Sequence, residues 1–350
     1  MGLTPNEKLI QTAKTALTYK DYITSIRLLD QAVEQQPNLA ELYLYRGIGK
    51  YHLGNYMDAN KDFSDCLNKN PFMTNAYKYR GMTLFNLADY SGAISDYTRC
   101  LELSNPDDKD ILINRATAYI KLGEFEIAER ELDLLTKNSV QPSLIYFTKG
   151  MMFLEKGDTL KALSNFDYSI NVDTCFADAY AQRGLIQYLQ NYSEEAVKNL
   201  NRAVELRPDY SGFYINRGII HQNLNNLKEA MSDYDKAIAL DSISVIAHYN
   251  RGLLRAYVGD NNRAISDLDI VLNFESDNYL ARYNRAILKD YTGDYKGAII
   301  DIDSLLSLHP DFVDGYRFRS NLKKKVKDIK GSKEDLKHAV SRNKKYSNRE

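Results

Sequence analysis

A small residue recurs every 34 positions along this 350-residue chain, and that interval constrains the fold more than any other feature. Gly218, Gly252 and Ala286 stand 34 apart, and the same ruler runs back through Gly184, Gly150, Ala116, Gly81, Gly47 and Ala13, with one extra residue near Asn105 and Pro106. A period of roughly 20–50 residues marks a stack of identical supersecondary units, because one such unit is too short to bury its own apolar face. Nine units fill residues 6–39, 40–73, 74–108, 109–142, 143–176, 177–210, 211–244, 245–278 and 279–312. A tenth, degenerate and basic, covers 313–346 as a further repeat or a pair of capping helices, and 347–350 form a tail.

Each unit reads as a helix, a short polar break such as Leu53-Gly54-Asn55 or Val258-Gly259-Asp260, and a second helix. The second helix carries its own small residue twelve positions after the first: Ala59, Ala93, Ala128, Ala162, Ala196, Ala230, Ala264 and Ala298. Small residues facing each other let two helices pack closely. Pro37, Pro71, Pro208 and Pro310 follow second helices, where a missing N–H prevents the helix from continuing. The spacing therefore predicts an all-α chain of antiparallel helix hairpins.

The order aromatic, small, aromatic, alanine, aromatic, small, proline at Tyr43, Gly47, Tyr56, Ala59, Phe63, Cys66 and Pro71 resembles the tetratricopeptide repeat. The resemblance covers nearly the whole chain, with units 1, 5 and 6 departing most. It implies a right-handed α-α superhelix, a non-catalytic scaffold for protein–protein interaction, and a concave groove lined by the first helices that holds an extended peptide or partner segment. The alternatives are a structural or assembly subunit that uses its convex face or ends, and the interaction region of a longer protein.

A basic residue precedes the small residue of each first helix: Arg46, Arg80, Arg115, Lys149, Arg183, Arg217, Arg251, Arg285 and Arg319. Sixteen positions later stand Asp62, Asp96, Glu131, Asn165, Asn199, Asp233, Asp267, Asp301 and Asp335. Folding the hairpin about its break places the two positions opposite each other. This predicts a bridge between helices in seven units and an amide acceptor in units 5 and 6.

Ligand contacts are expected on the stripe of the first helix away from the small-residue seam. Asn114, and then Asn216, Asn250 and Asn284 in three consecutive units, share one register there; Tyr249 and Tyr283 precede the last two, and Tyr257 and Tyr291 lie further along the same helices. The pattern is similar to the asparagine ladder of O-GlcNAc transferases, which implies that these amides pair with a peptide backbone and the tyrosines with its side chains. The family's carboxylate clamp is not matched, since Lys78 is followed by Met82 where an asparagine is needed.

From Val313 onward thirteen Lys and Arg face five Asp and Glu, a local charge of +8 in a chain whose net charge is -1. The basic end suits a solubilising cap or contact with an anionic surface; without an aromatic stacking platform it argues against nucleic acid. No transmembrane stretch is present, and the compartment expected is cytoplasmic, or periplasmic where a leader has been removed. His52, His221, His248, His309 and His338 fall at different unit positions, and Cys66 and Cys100 share a small core position. The reading assigns no catalytic residue, metal or cofactor, and a protein or peptide as partner.

Overall fold

The computed structural model describes residues 4–138 and 142–347. Residues 348–350 of the expected tail lie outside them. Among the described residues every regular element is an α-helix, and the helices alternate between the first and second arm of a hairpin.

The chain divides into two compact units, Met1–Thr174 and Cys175–Glu350. The first contains α1 (Pro5–Thr18), α2 (Tyr22–Gln35), α3 (Ala40–His52), α4 (Tyr56–Lys69), α5 (Thr74–Asn86), α6 (Tyr90–Leu103), α7 (Lys109–Lys121), α8 (Phe125–Asn138), α9 (Ser143–Glu155) and α10 (Thr159–Val172). The second contains α11 (Ala177–Leu189), α12 (Ser193–Leu206), α13 (Ser211–Asn223), α14 (Leu227–Leu240), α15 (Val245–Tyr257), α16 (Asn261–Phe274), α17 (Tyr279–Thr292), α18 (Tyr295–Leu308), α19 (Val313–Lys325) and α20 (Ile329–Ser347). Within each unit a hairpin packs on the next, so that a second helix lies against the first helix that follows it.

The helices form because their apolar side chains repeat at helical spacing. In α12 the buried residues are Ala196, Asn199, Leu200 and Ala203, one stripe of a helix otherwise rich in charge. Second helices begin at aspartates whose carboxylates accept a backbone N–H of the first turn: Asp89 from Gly92, Asp158 from Lys161, Asp260 from Arg263 and Asp294 from Gly297.

Each hairpin turns on one left-handed residue. Five are glycines, Gly54, Gly123, Gly157, Gly259 and Gly293; the others are Lys20, Ala88, Asn191, Asn225 and Lys327, all with φ near +60°. Ala88 has neither the missing Cβ of glycine nor the local hydrogen bonds of asparagine, and the left-handed region costs such a residue about 1–2 kcal/mol. Ala88→Gly should therefore stabilise the α5–α6 hairpin by about 0.5–1 kcal/mol, part of the relief being offset by a freer unfolded chain. Denaturant unfolding checks this, with Gly259→Ala expected to lose stability.

The seam between the arms follows a size rule. Where the facing second helix presents an aromatic ring, the first helix has glycine: Gly47 against Phe63, Gly81 against Tyr97, Gly150 against Phe166 and Gly218 against Tyr234. Ala116 and Ala286 face the aliphatic Leu132 and Ile302 at the same register, and all four are buried. In the terminal hairpins serine replaces alanine, and its buried hydroxyl is satisfied across the seam: Ser25 Oγ donates to the Ala13 carbonyl at 2.9 Å, and Ser320 Oγ to the Ser332 carbonyl at 3.0 Å. Cys66 and Cys100 are buried packing residues, and burial pushes the Cys66 thiol up to about 11.

The predicted bridges form in all seven units. Arg46 forks onto Asp62 through Nε at 2.9 Å and Nη2 at 2.6 Å, and Arg80, Arg217, Arg251, Arg285 and Arg319 repeat the fork on Asp96, Asp233, Asp267, Asp301 and Asp335. Arg115 makes a single bond to Glu131, 2.6 Å from Nη2 to Oε1. The extra methylene of glutamate spoils the fork, and Arg115 Nε and Glu131 Oε2 are buried without a partner among the described residues. Arg183 takes the Asn199 carbonyl oxygen, as expected for unit 6. Unit 5 corrects the expectation: Lys149 turns to α8, reaching Asp133 at 2.8 Å and Thr136 at 2.9 Å, while the Asn165 amide donates to its own helix at Lys161. A lysine is a point charge without a second planar donor, so it follows the nearer carboxylate.

The remaining guanidinium nitrogen does something the spacing argument missed. It reaches back to the preceding second helix, from Arg46 to Asp30, Arg251 to Asp235, Arg285 to Asp269 and Arg319 to Asp303. Ser64 and Asn201 accept from Arg80 and Arg217 at that register. Each arginine thus ties three helices, its own hairpin and the one before it.

Candidate functional site

The candidate site is the face formed by the first helices. On α13, α15 and α17, Asn216, Asn250 and Asn284 occupy one register and are all partly exposed. Asn250 Nδ2 donates to the Ile246 carbonyl one turn back at 3.0 Å, and Asn284 Nδ2 to the Tyr249 hydroxyl at 3.2 Å. A carboxamide has two donors and an acceptor oxygen, so these two keep one N–H and the oxygen for another group. The Asn284 contact also joins neighbouring first helices.

The four tyrosines separate into two kinds. Tyr249 packs into the core of Ala264, Leu268 and Leu288, and Tyr283 stands edge-on to Phe312 and Phe318 with ring centroids 5.3 and 5.8 Å away. Burial raises both phenols above their ordinary range, and at Tyr249 the Asn284 amide works in the opposite direction. Their first task is to cement one hairpin to the next. Tyr257 and Tyr291, by contrast, are 73% and 74% exposed. They lie seven residues beyond Asn250 and Asn284, two turns along the same face.

Within Met1–Thr174 the first helices α3, α5 and α7 form a cavity of about 260 Å³, lined by Tyr51, Met82, Phe85, Asn86, Asn114 and Thr117 with Tyr97 behind them. Asn114 belongs to the asparagine register; Tyr51, Met82, Phe85, Asn86 and Thr117 stand on first helices beside it without sharing that register, and Tyr97 comes from the second helix α6. None of these lining residues is charged. Burial raises the Tyr51 phenol, opposed by the adjacent Asn86, and Tyr97 is pushed up further by burial with Tyr51 and Asp96 nearby. Two phenols, two amides and a threonine hydroxyl around Met82 and Phe85 make a pocket for an uncharged group with both apolar and hydrogen-bonding parts.

The basic end forms α19 and α20, and Arg319 and Asp335 tie the two together. Burial favours the neutral form of Asp335, but hydrogen bonds from Arg319 and Lys323 outweigh it and hold the carboxyl below its ordinary range. No helix among the described residues is long and apolar enough to cross a membrane.

Comparison with known proteins places this arrangement in a class. The tetratricopeptide repeat model matches residues 177–210 and 211–243, the hairpins α11–α12 and α13–α14. Among solved structures, a tetratricopeptide repeat protein from Parabacteroides merdae superposes with a TM-score of 0.59 at 17% identity, covering 71% of this chain and 98% of that one. A monomeric mutant of IFIT1 with Gppp-AAAA superposes at 0.54 with 13% identity, over 97% of this chain and 82% of that one. At such identities the likeness is one of fold alone. Comparison with curated proteins gives no match.

The family match over two hairpins, together with the tandem helix hairpins among the described residues, defines an all-α array similar to tetratricopeptide repeat proteins. That fold generally mediates protein–protein interaction and is typically a non-catalytic scaffold.

Proposed function

We propose that this protein is an interaction scaffold that holds an extended segment of a partner protein across the first helices α13, α15 and α17. One observation carries the reading: three partly exposed carboxamides at a single register on successive helices, with the exposed Tyr257 and Tyr291 two turns further along two of them. An amide that donates and accepts suits the peptide backbone irrespective of sequence, and a flat exposed phenol suits side chains along the segment. The uncharged cavity on the first helices α3, α5 and α7 supports the same reading, being of a size for one side chain.

The test is enrichment of a random-peptide display library on the wild-type chain and on the triple variant Asn216→Ala, Asn250→Ala, Asn284→Ala, both first shown to be equally helical. The wild type should enrich peptides whose affinity falls at least about tenfold in the variant, the expected scale for losing several backbone hydrogen bonds. Enrichment indifferent to the three asparagines would reduce the register to a solvated helix face.

A further inference from the structure

We infer that the outer face of α20 is a docking site for an amphipathic helix of a partner protein, one whose apolar stripe is flanked by acidic side chains.

Register supplies the first observation. In α16 the apolar pair Leu268 and Leu272 is buried in one cluster with Ala281 and Leu288 of the following first helix, α17. In α18 the equivalent pair, Ile302 and Leu306, is buried with Tyr316 and Leu322 of α19. The same ruler, 34 residues on, reaches Leu336 and Val340 in α20. These are 40% and 55% exposed, and Ile329, at 54%, continues their stripe. At about 100° per residue the three side chains lie within about 40° of one another on the helix surface. What covers this position elsewhere in the molecule is an α-helix, so the repeat itself defines the shape of the occupant. In α1, by contrast, the exposed residues Gln11, Thr12 and Thr15 are polar.

Charge supplies the second. Lys333 and Lys337, both exposed, occupy the strip of α20 beside the apolar one, and Lys330 extends it. The segment from Val313 carries +8. An occupant with acidic flanks is attracted over its apolar contact, whereas a second copy of this end brings +8 against +8 and is repelled. A copy docked by α1 would place hydroxyls and an amide against Leu336 and Val340.

The experiment uses two labelled synthetic helices with the same leucine stripe, one flanked by glutamates and its twin by lysines, titrated by anisotropy onto the full chain. Vesicles of equimolar phosphatidylglycerol and phosphatidylcholine and sedimentation of the chain alone run in parallel. The leucine–glutamate helix should bind and its twin should not. Ile329→Gln with Val340→Gln should weaken binding at least about tenfold without altering the circular dichroism, since each side chain already leaves more than half of its surface in solvent. Lys333→Glu with Lys337→Glu should transfer the preference to the lysine twin. Binding of neither helix, equal binding of both, or binding indifferent to the first pair of substitutions overturns the proposal. So does attachment to the vesicles alone, which would make the face a lipid contact, or self-association abolished by the first pair, which would make it a contact between copies.

Discussion

Asp267→Ala should lower the stability of the α15–α16 hairpin by about 3–5 kcal/mol, the scale for removing one partner of a buried ion pair. Asp267 is 1% exposed and accepts from Arg251 Nε at 3.1 Å and Nη2 at 2.6 Å, from Arg255 at 2.8 Å, and from His248 Nδ1 at 3.0 Å. Its removal leaves Arg255 without its carboxylate and Arg251 with Asp235 of the preceding hairpin as its remaining counter-charge. Arg251→Met should cost less, about 2 kcal/mol, because Arg255 and His248 remain on the carboxylate while the tie to Asp235 is lost. The double variant should then be less damaging than the two losses summed, since the methionine no longer needs the carboxylate. Native-state hydrogen exchange of the α15 and α16 amides reads the local free energy, which suits a stack whose hairpins open as separate units. Strictly additive losses would mean that the fork contributes nothing as a pair.

The second large effect lies at the seam. A Cβ added at Gly218 falls 2.8 Å from Tyr234 Cε1 and 3.0 Å from Cδ1. That ring is fully buried and its hydroxyl donates to Gln222 at 3.0 Å, so it has no room to retreat. Gly218→Ala gains up to about 1 kcal/mol of helix propensity but should still lose a net 1–3 kcal/mol to overpacking. Gly252→Ala is the control: its nearest neighbours are Asp267 Cβ at 3.2 Å and the Ala264 carbonyl oxygen at 3.4 Å, both farther off than the ring at Gly218. There the propensity gain should roughly offset the crowding. Adding Tyr234→Leu to Gly218→Ala reproduces the pairing seen at Ala116 and Leu132 and should recover most of the loss. Thermal denaturation of the three variants tests the rule; equal effects at Gly218 and Gly252 would contradict it.

Much of this architecture was legible in the residues. The 34-residue ruler placed the hairpins and the seam, the prolines marked where second helices stop, and the sixteen-residue offset paired Arg251 with Asp267 and its equivalents. What escaped was whatever depends on a neighbouring hairpin. Asp235, Asp269 and Asp303 accept from the arginine of the next unit, and their own ladder was present at the same interval, but one hairpin considered alone gives them no partner. Tyr249 and Tyr257 share a helix face by spacing, yet one is packed into the adjoining hairpin and the other is solvated, because helical spacing assigns a face and not its neighbour. Lys149 departs from its predicted acceptor for the same reason, since Asp133 belongs to the hairpin before it. In the candidate site the asparagine register was readable, whereas the cavity at Tyr51, Phe85 and Asn86 depends on three helices lying side by side.

Backbone hydrogen exchange of the chain with and without a display-selected peptide reads the proposed contact along the first helices. Exchange should slow on α13, α15 and α17 with little change on α14, α16 and α18. Protection confined to the second helices, or to α20, would contradict it.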